Sequence, residues 1–302
     1  MELRVAEFNL DCGGLRGGLD GARGDYDFSG LVDAMHDDWP DILVLCEGAF
    51  YSHNGGAGAF GAAAAMREAG GRAYTPLPGT LTGGRGPLAP VVYVDPQTVT
   101  VRHWYSGHEP DHFTARSNLL VFTLPGSTQR RYLIAVHFDV RSHIARIHDA
   151  ETLRPWANPA TPCLIAGDFN SHPSGPHWRV TNFDQTPSWR HMSKTRFPPE
   201  IDTDGTARPV CDTEPLDRLL GVWHEPTGRR VGGAGFLDVA ELVGDYTPTV
   251  NPSPAAFGPM TLDRFLVNDA LTDAVTDYRV RLPADPQRPP SSHRRISLTL
   301  DL

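Results

Sequence analysis

Two segments of the sequence place a carboxylate and a carboxamide one residue apart, directly after a run of apolar residues. Asp168 and Asn170 follow the apolar residues 163–166, and Asn9 and Asp11 follow the first apolar segment of the chain. A carboxylate can hold a cation or accept a proton, and a carboxamide can donate to an anionic oxygen. Asp and Asn also favour ordinary turns, so either segment alone is explained equally well without any chemistry.

Other predicted strands also carry polar side chains at or near their ends. These are Glu47 after residues 42–46, His137 at the end of 131–137, Asp263 within 261–267 and His293 before 296–302. Ligand sites of open α/β sheets lie at the carboxyl ends of strands. Oxygen donors without Cys or His pairs at zinc spacing favour a hard cation such as Mg²⁺, whose coordination shell a substrate phosphate can complete. The set therefore indicates hydrolysis of a phosphate ester.

The elements that must position these side chains are strands interspersed with helices. Apolar runs and two-residue periods predict strands at 3–10, 41–47, 88–94, 99–105, 117–124, 131–137, 163–166, 261–267, 276–282 and 296–302. Helical spacing predicts helices at 28–38, 62–68, 144–153 and 236–242, with another beginning near 216. Strands 88–94, 99–105 and 117–124 are expected to be consecutive antiparallel neighbours, and Gly167 is expected to turn the chain after strand 163–166.

The composition limits the class of protein. The chain has 302 residues, of which 40% are hydrophobic and 21% charged, and its net charge is −9. Proteins that bind nucleic acid mainly by neutralising phosphates are basic, so a small or locally held substrate is easier to accept than long duplex DNA. A local basic groove can nevertheless coexist with an acidic total charge.

The cysteines and the hydropathy of the sequence predict the cellular compartment of the protein. The four cysteines form no C-x-x-C pair, so we expect free thiols in a reducing environment. We find no apolar segment long enough to span a bilayer and no signal peptide before the first strand. The sequence therefore predicts a cytoplasmic protein without a membrane span, and we expect a monomer.

Taken in order, the polar segments resemble the endonuclease/exonuclease/phosphatase superfamily, which includes deoxyribonuclease I, exonuclease III, sphingomyelinases and inositol polyphosphate phosphatases. The matching segments are Phe8-Asn9-Leu10-Asp11, Leu45-Cys46-Glu47, Val136-His137, Gly167-Asp168-Phe169-Asn170, Leu262-Asp263-Arg264 and Ser292-His293. They cover nearly the whole chain. The resemblance implies a single domain over residues 1–302, built as an α/β (α+β) four-layer sandwich of two packed mixed β-sheets flanked by helices.

The resemblance also implies a metal-dependent hydrolase acting on phosphoric ester bonds. Glu47 would be the principal ligand of Mg²⁺, with Mn²⁺ as a substitute, and Asp11 a direct or water-mediated ligand. Asp168 would orient or deprotonate the attacking water. Asn9 and Asn170 would hold the substrate phosphate and keep Asp168 in place.

The remaining roles implied by the resemblance concern the phosphate and the leaving group. His293 would contact the scissile phosphate and stabilise its developing charge, while Asp263 fixes the tautomer of that imidazole. His137 would protonate the leaving oxygen or bind phosphate. Arg116 loosely matches a phosphate-binding arginine of some nucleases.

The sequence departs from the family pattern at one position. The family usually has Ser-Asp-His before the last strand, whereas this chain has Ser291-Ser292-His293. The leading hypothesis is a phosphodiesterase or nuclease acting on nucleic acid or a small molecule. The alternatives are a phosphomonoesterase on a nucleotide, sugar phosphate or biosynthetic intermediate, and a catalytically weakened phosphate-ligand-binding protein, because Ser292 supplies only a neutral hydroxyl.

Overall fold

The computed structural model describes residues 1–21, 24–35, 38–80, 88–107, 117–178, 195–196, 199–251 and 259–302. Its strands are β1 Glu2–Asn9, β2 Ile42–Ala49, β3 Thr75–Pro78, β4 Leu88–Val94, β5 Thr100–Tyr105, β6 Leu119–Thr123, β7 Arg131–His137, β8 Cys163–Asp168, β9 Glu200–Ile201, β10 Ala207–Arg208, β11 Val222–His224, β12 Arg229–Val231, β13 Phe236–Asp238, β14 Asp263–Asn268, β15 Val275–Val280 and β16 Ile296–Asp301. Its α-helices are α1 Ser29–Met35, α2 Ala57–Gly70, α3 His143–Leu153, α4 Glu214–Leu220, α5 Val239–Val243 and α6 Asp269–Thr272. Short 3₁₀ helices span Asp11–Gly14, Gly18–Asp20, Arg154–Ala157 and Glu225–Thr227.

Two mixed six-stranded sheets form the centre of the fold. The strand order is β15-β16-β1-β2-β4-β3 in the first sheet and β13-β14-β8-β7-β6-β5 in the second. Aliphatic side chains of both sheets, such as Val44 and Leu164, share one buried cluster between them. Helices α1 and α2 pack on the outer face of the first sheet, and α3 and α4 pack on that of the second. The predicted four-layer α+β sandwich is confirmed.

Each sheet contains one parallel strand pair joined by a helix. Strands β1 and β2 are joined through α1, with Asn9 opposite Cys46, and strands β7 and β8 are joined through α3, with His137 opposite Asp168. Parallel strands need such a crossover, and their carboxyl ends then lie side by side. Both pairs end at the same mouth of the sandwich, where Asn9 of the first sheet contacts Asp168 of the second.

The prediction that strands 88–94 and 99–105 are neighbours is wrong. Strand β4 lies between β2 and β3 in the first sheet, whereas β5 is the edge strand of the second. The chain crosses between the sheets at Asp95, whose backbone N–H donates to the Asp41 carbonyl oxygen. Val94 and Val99 are buried in the same cluster between the sheets. The period of two is therefore the same for both strands and cannot assign them to different sheets.

The helix predicted at residues 236–242 is also partly wrong. Residues 236–238 form β13, which pairs antiparallel with β14, and only Val239–Val243 is helical. The Asp238 carboxylate accepts from the backbone N–H of Ala240 and caps the helix. An edge strand followed by a capped helix has a hydrophobic pattern that resembles one longer helix.

Gly167 lies inside strand β8 and does not form the expected turn. Its φ is 150°, and a Cβ atom added there would stand 1.9 Å from the carbonyl oxygen of Val136 on β7. Glycine is therefore required for the close approach of the two strands.

We expect the substitution Gly167→Ala to lower the free energy of unfolding by about 2 to 5 kcal/mol, the combined range for backbone strain and overpacking. Chemical denaturation measures this loss. Gly205→Ala is a matched control for positive φ without crowding, because φ is 84° there and nothing lies within 4 Å of the added Cβ. Equal losses in the two variants would contradict the role of close approach.

Candidate active site

Three side-chain nitrogen atoms from separate segments converge on one carboxylate oxygen at this mouth. Asp168 Oδ2 lies 3.1 Å from Asn9 Nδ2, 3.8 Å from His137 Nε2 and 3.9 Å from His293 Nε2. Only the first separation is a hydrogen bond. Neither imidazole is hydrogen-bonded to this oxygen, so both Nε2 atoms can contact a water or a phosphate oxygen at the mouth.

Backbone distortion at the end of β2 aims Glu47 into the same mouth. The register with β4 shifts between Leu45 and Gly48, and Glu47 has a φ of 60°, which is uncommon for a residue with a side chain. Bulges of this kind re-aim side chains next to active sites. Glu47 Oε2 accepts from Cys12 N at 2.9 Å, and Oε1 lies 3.4 Å from Asn9 Nδ2.

His293 is held by a carboxylate from β14. Its Nδ1 lies 2.9 Å from Asp263 Oδ2, and Asp263 is opposite Asp168 in the register of β14 and β8. Burial of His293 lowers its pKa, but the charge and hydrogen bond of Asp263, together with the Asp168 carboxylate, raise the pKa of His293 to about 10. The imidazolium is therefore charged at neutral pH and offsets the repulsion between two opposed carboxylates.

Ser292 binds Asp11 directly. The Ser292 hydroxyl donates to Asp11 Oδ1 at 2.6 Å, and its backbone N–H donates to Oδ2 at 2.7 Å. The preceding Ser291 hydroxyl donates to the Asn9 carbonyl oxygen at 2.6 Å. These bonds tie the segment before β16, which carries His293, to the end of β1.

Asn170 and His137 are held by backbone and side-chain contacts. The Asn170 backbone N–H donates to Asp168 Oδ1 at 2.8 Å, and its side-chain amide donates to the Phe138 carbonyl oxygen at 3.2 Å. His137 Nδ1 lies 3.3 Å from the Leu88 carbonyl oxygen, and its Nε2 lies 3.9 Å from Glu47 Oε1. Nε2 of His137 thus lies between two carboxylates and faces the mouth.

Comparison with known proteins agrees with this geometry. The sequence profile described as the endonuclease/exonuclease/phosphatase family matches residues 6–293. The chain belongs to this family. No curated protein sequence matches it. The family name covers enzymes that break phosphate ester bonds, which agrees with the carboxylates and imidazoles at the mouth.

Solved structures share the family fold at low sequence identity. Humanized TDP2 of D. rerio matches with a TM-score of 0.59 and 16% identity, over 100% of this chain and 99% of that one. The 3′-5′ exonuclease NExo of Neisseria meningitidis matches with a TM-score of 0.57 and 16% identity, over 99% and 100%. An AP endonuclease of Archaeoglobus fulgidus matches with a TM-score of 0.56 and 12% identity, over 99% and 100%. At these identities the similarity shows the fold alone.

The fold brings most of the site residues that the sequence predicts together. The contacts given above join Asn9, Glu47, His137, Asp168, Asn170, Asp263 and His293 into one group, and Asp11 is tied to it through Ser291 and Ser292. Arg116 lies outside the described residues. No disulfide joins the four cysteines. Among the described residues, no helix is both long and apolar enough to cross a bilayer.

The donor set at the mouth fits a hard divalent cation. Glu47, Asp168 and Asp263 bring three carboxylates to one place, and His293 offsets only part of their charge. Atoms of Asp168, Asp263 and His293 lie within 4.8 Å of one another, but the charged His293 has no lone pair to offer a metal, so only the carboxylate oxygens are candidate ligands here. The Glu47 side chain is 20% exposed, whereas that of Asp168 is 2% exposed, so Glu47 is the more accessible oxygen ligand. Mg²⁺ accepts this kind of partly solvated carboxylate site.

Sequence reasoning missed three residues around the site. Ser291 joins β1 to the His293 segment, and the Thr249 hydroxyl accepts from the backbone N–H groups of Leu262 and Asp263. Thr249 has no recognisable sequence signal, whereas Ser291 is the first residue of the Ser291-Ser292-His293 segment. Glu7 is fully buried in β1, and here a signal is present, because Glu7 continues the alternate positions of the apolar Leu3 and Val5.

Proposed function

We propose that this protein is a Mg²⁺-dependent phosphodiesterase or nuclease that hydrolyses its substrate by attack of a water molecule. The observation that supports it most is the convergence of Asn9, His137 and His293 on Asp168 Oδ2. A carboxylate that can take a proton, surrounded by donors that can bind phosphate oxygens, is what ester hydrolysis requires.

Each residue of the site has a task in this proposal. Asp168 orients the attacking water and takes its proton, while Asn9 and the backbone N–H of Asn170 hold the carboxylate in place. The charged imidazole of His293 faces the phosphate oxygens as negative charge develops on them. His137 binds the phosphate or gives a proton to the leaving oxygen.

Glu47 and Asp11 would hold the Mg²⁺ ion, with Mn²⁺ as a substitute. The bound ion would supply positive charge against the phosphate oxygens. Phosphoryl transfer depends mostly on positioning and charge neutralisation, which this set of side chains provides.

Hydrolysis assays test the proposal directly. We expect the purified protein to cleave an aryl phosphodiester, DNA or RNA in the presence of Mg²⁺ and to stop when EDTA is added. Manganese should restore turnover after EDTA treatment. Absence of EDTA-sensitive cleavage on all three substrates would overturn the proposed function.

A phosphomonoesterase is the second candidate. The net charge of −9 favours a small substrate such as a nucleotide, a sugar phosphate or a biosynthetic intermediate. One similar structure is described as the 3′ phosphatase NExo of Neisseria bound to a product DNA hairpin. Release of inorganic phosphate from monoesters without cleavage of diesters would favour this candidate.

The contact between Ser292 and Asp11 motivates a third candidate, a phosphate-ligand-binding protein with weakened turnover. The Asp11 carboxylate is already engaged by Ser292, and Ser292 adds no charge for a metal. We expect Ser292→Asp to raise Mg²⁺ affinity roughly tenfold, because a further unit charge a few ångströms away attracts the cation strongly.

Mg²⁺ titrations of turnover and of the melting temperature measure the effect of Ser292→Asp. Ser292→Asn is the matched control, because its side chain is similar in size to Asp but neutral. If the protein is a phosphate-ligand-binding protein with weakened turnover, the Ser292→Asp variant should also have a higher turnover. If Asp and Asn variants show the same Mg²⁺ dependence, charge at this position does not contribute to metal binding.

The proposal extends to the organisation of the protein. We infer that residues 1–302 act as one domain, as a cytoplasmic monomer whose substrate is nucleic acid or a small phosphate ester. The four cysteines form no disulfide, which supports a reducing compartment. Sedimentation analysis and limited proteolysis test the monomer and the single domain.

A further inference from the structure

Glu7 is an acidic residue in the middle of a central strand. Strand β1 lies between β2 and β16, and Glu7 is opposite Val44 on one side and Ile296 on the other. Its exposed fraction is 0%. Residues of a strand alternate between faces, so Glu7 shares the face of Val5, which is buried in the cluster between the sheets.

The surroundings of Glu7 disfavour a carboxylate ion. Among the described residues, no N–H or O–H donor lies within hydrogen-bond distance of either carboxyl oxygen. Burial raises the pKa of Glu7 well above its ordinary value, and the nearby charges of Asp263 and Asp168 raise it further, while the charge of His293 and a hydrogen bond from the Cys46 thiol lower it by a smaller amount. A buried carboxylate without a close cationic partner is costly and tends to become neutral. These surroundings favour the neutral carboxylic acid of Glu7, which has one O–H to donate.

Asn9 lies two residues further along the same face of β1. The oxygen atom of its side-chain amide accepts no hydrogen bond from the part of the chain that the structure describes. Its Nδ2 donates to Asp168 Oδ2 at 3.1 Å and lies 3.4 Å from Glu47 Oε1. Its Oδ1 is buried and has no hydrogen-bond partner among the described residues. Turning the amide over would place Oδ1 against two carboxylates, so the observed orientation is the favourable one.

The two features complement each other. A two-residue step along a strand is about 6.6 Å, a span that the two side chains, or the side chains with one water, can bridge. A buried acceptor is rarely left unsatisfied in a native protein. The proton of Glu7 is the donor that the Asn9 acceptor requires.

We propose that Glu7 is a positioning residue that donates its O–H to Oδ1 of Asn9, directly or through one buried water. The bond holds the Asn9 amide so that its Nδ2 stays directed at Asp168 and Glu47. The effect on turnover rests on the proposed function, whereas the contact between Glu7 and Asn9 does not.

Two substitutions of Glu7 separate the effect of its hydrogen-bond donor from the effect of its side-chain volume. Glu7→Gln keeps a donor at the same place, while Glu7→Met keeps a similar volume without a donor. We expect kcat for phosphodiester cleavage to stay near that of the wild type in Glu7→Gln and to fall about 10- to 100-fold in Glu7→Met, the usual cost of losing a supporting contact. KM should change little in either variant.

Stability distinguishes positioning from a structural role. Replacing a buried polar group by a well-packed apolar one is often neutral or stabilising, so the melting temperature of Glu7→Met should equal or exceed that of the wild type. A Glu7→Met variant that is at least as stable as the wild type but has a lower kcat has lost the positioning of the Asn9 amide. If Glu7→Gln is as slow as Glu7→Met, or if Glu7→Met is as fast as the wild type, the proposal is overturned.

Two spectroscopic measurements do not depend on activity. The infrared C=O band of a protonated carboxylic acid should be present in the wild type at neutral pH and absent from both variants. The side-chain NH₂ resonances of Asn9, assigned with Asn9→Ser, should keep their positions in Glu7→Gln and shift or broaden in Glu7→Met. Absence of the infrared band, or unchanged Asn9 resonances in Glu7→Met, would overturn the contact even if the protein proved to be no phosphoesterase.

Discussion

Replacement of Asp168 by Asn is expected to reduce phosphodiester turnover by about 10² to 10⁴-fold, the usual contribution of a general base. The carboxylate accepts from Asn170 N at 2.8 Å and from Asn9 Nδ2 at 3.1 Å. An amide at position 168 cannot take a proton from water, and its nitrogen would meet one of these donors. The side chain keeps its size, so the fold should be retained.

Steady-state kinetics at saturating Mg²⁺, together with a melting curve, measure this effect. Asp277→Asn is the matched control, because Asp277 lies on β15 with a side chain that is 44% exposed and should change nothing. A folded Asp168→Asn enzyme that kept more than roughly a tenth of the wild-type rate would show that Asp168 is not the base.

The second large effect is expected from Asp263→Asn, which removes the partner of His293. Burial by itself lowers the pKa of His293, and the Asp263 and Asp168 carboxylates raise it to about 10. Without the charge and hydrogen bond of Asp263, the pKa of His293 should fall. If the imidazolium is the active form, the wild-type rate should decline only as the pH approaches 10, whereas the variant should lose activity at lower pH.

Stability should follow the same titration, with a defined sign. The pKa of His293 is higher in the folded protein than its ordinary value of 6.5, so the ion pair stabilises the fold fully below pH 6.5. This contribution is lost as the pH rises from 6.5 to about 10. Melting temperatures across this range should decline more steeply for the wild type than for Asp263→Asn. Parallel curves for the two proteins, and an unchanged pH–rate profile, would contradict the charged state of His293.

The sequence by itself determined the fold class and the candidate positions that the structure brings together. Apolar runs that end in Asn9, Glu47, His137 and Asp168 are local patterns, and the strands β1, β2, β7 and β8 were predicted close to their observed bounds. The position of each polar residue relative to the end of its strand follows from the amino-acid sequence alone. The ends of these strands can therefore be predicted from the sequence, whereas the contacts between them cannot.

Only the tertiary structure decided which strands belong together and how the site is supported. Strands β4 and β5 have the same two-residue period in the sequence but lie in different sheets, although Val94 of β4 and Val99 just before β5 are buried in the same cluster. The bulge that turns Glu47 and the register that places Asp263 opposite Asp168 are consequences of strand pairing. The sequence shows that residue 7 is a glutamate. Its burial depends on the packing of the two sheets, which brings together residues that are distant in the chain.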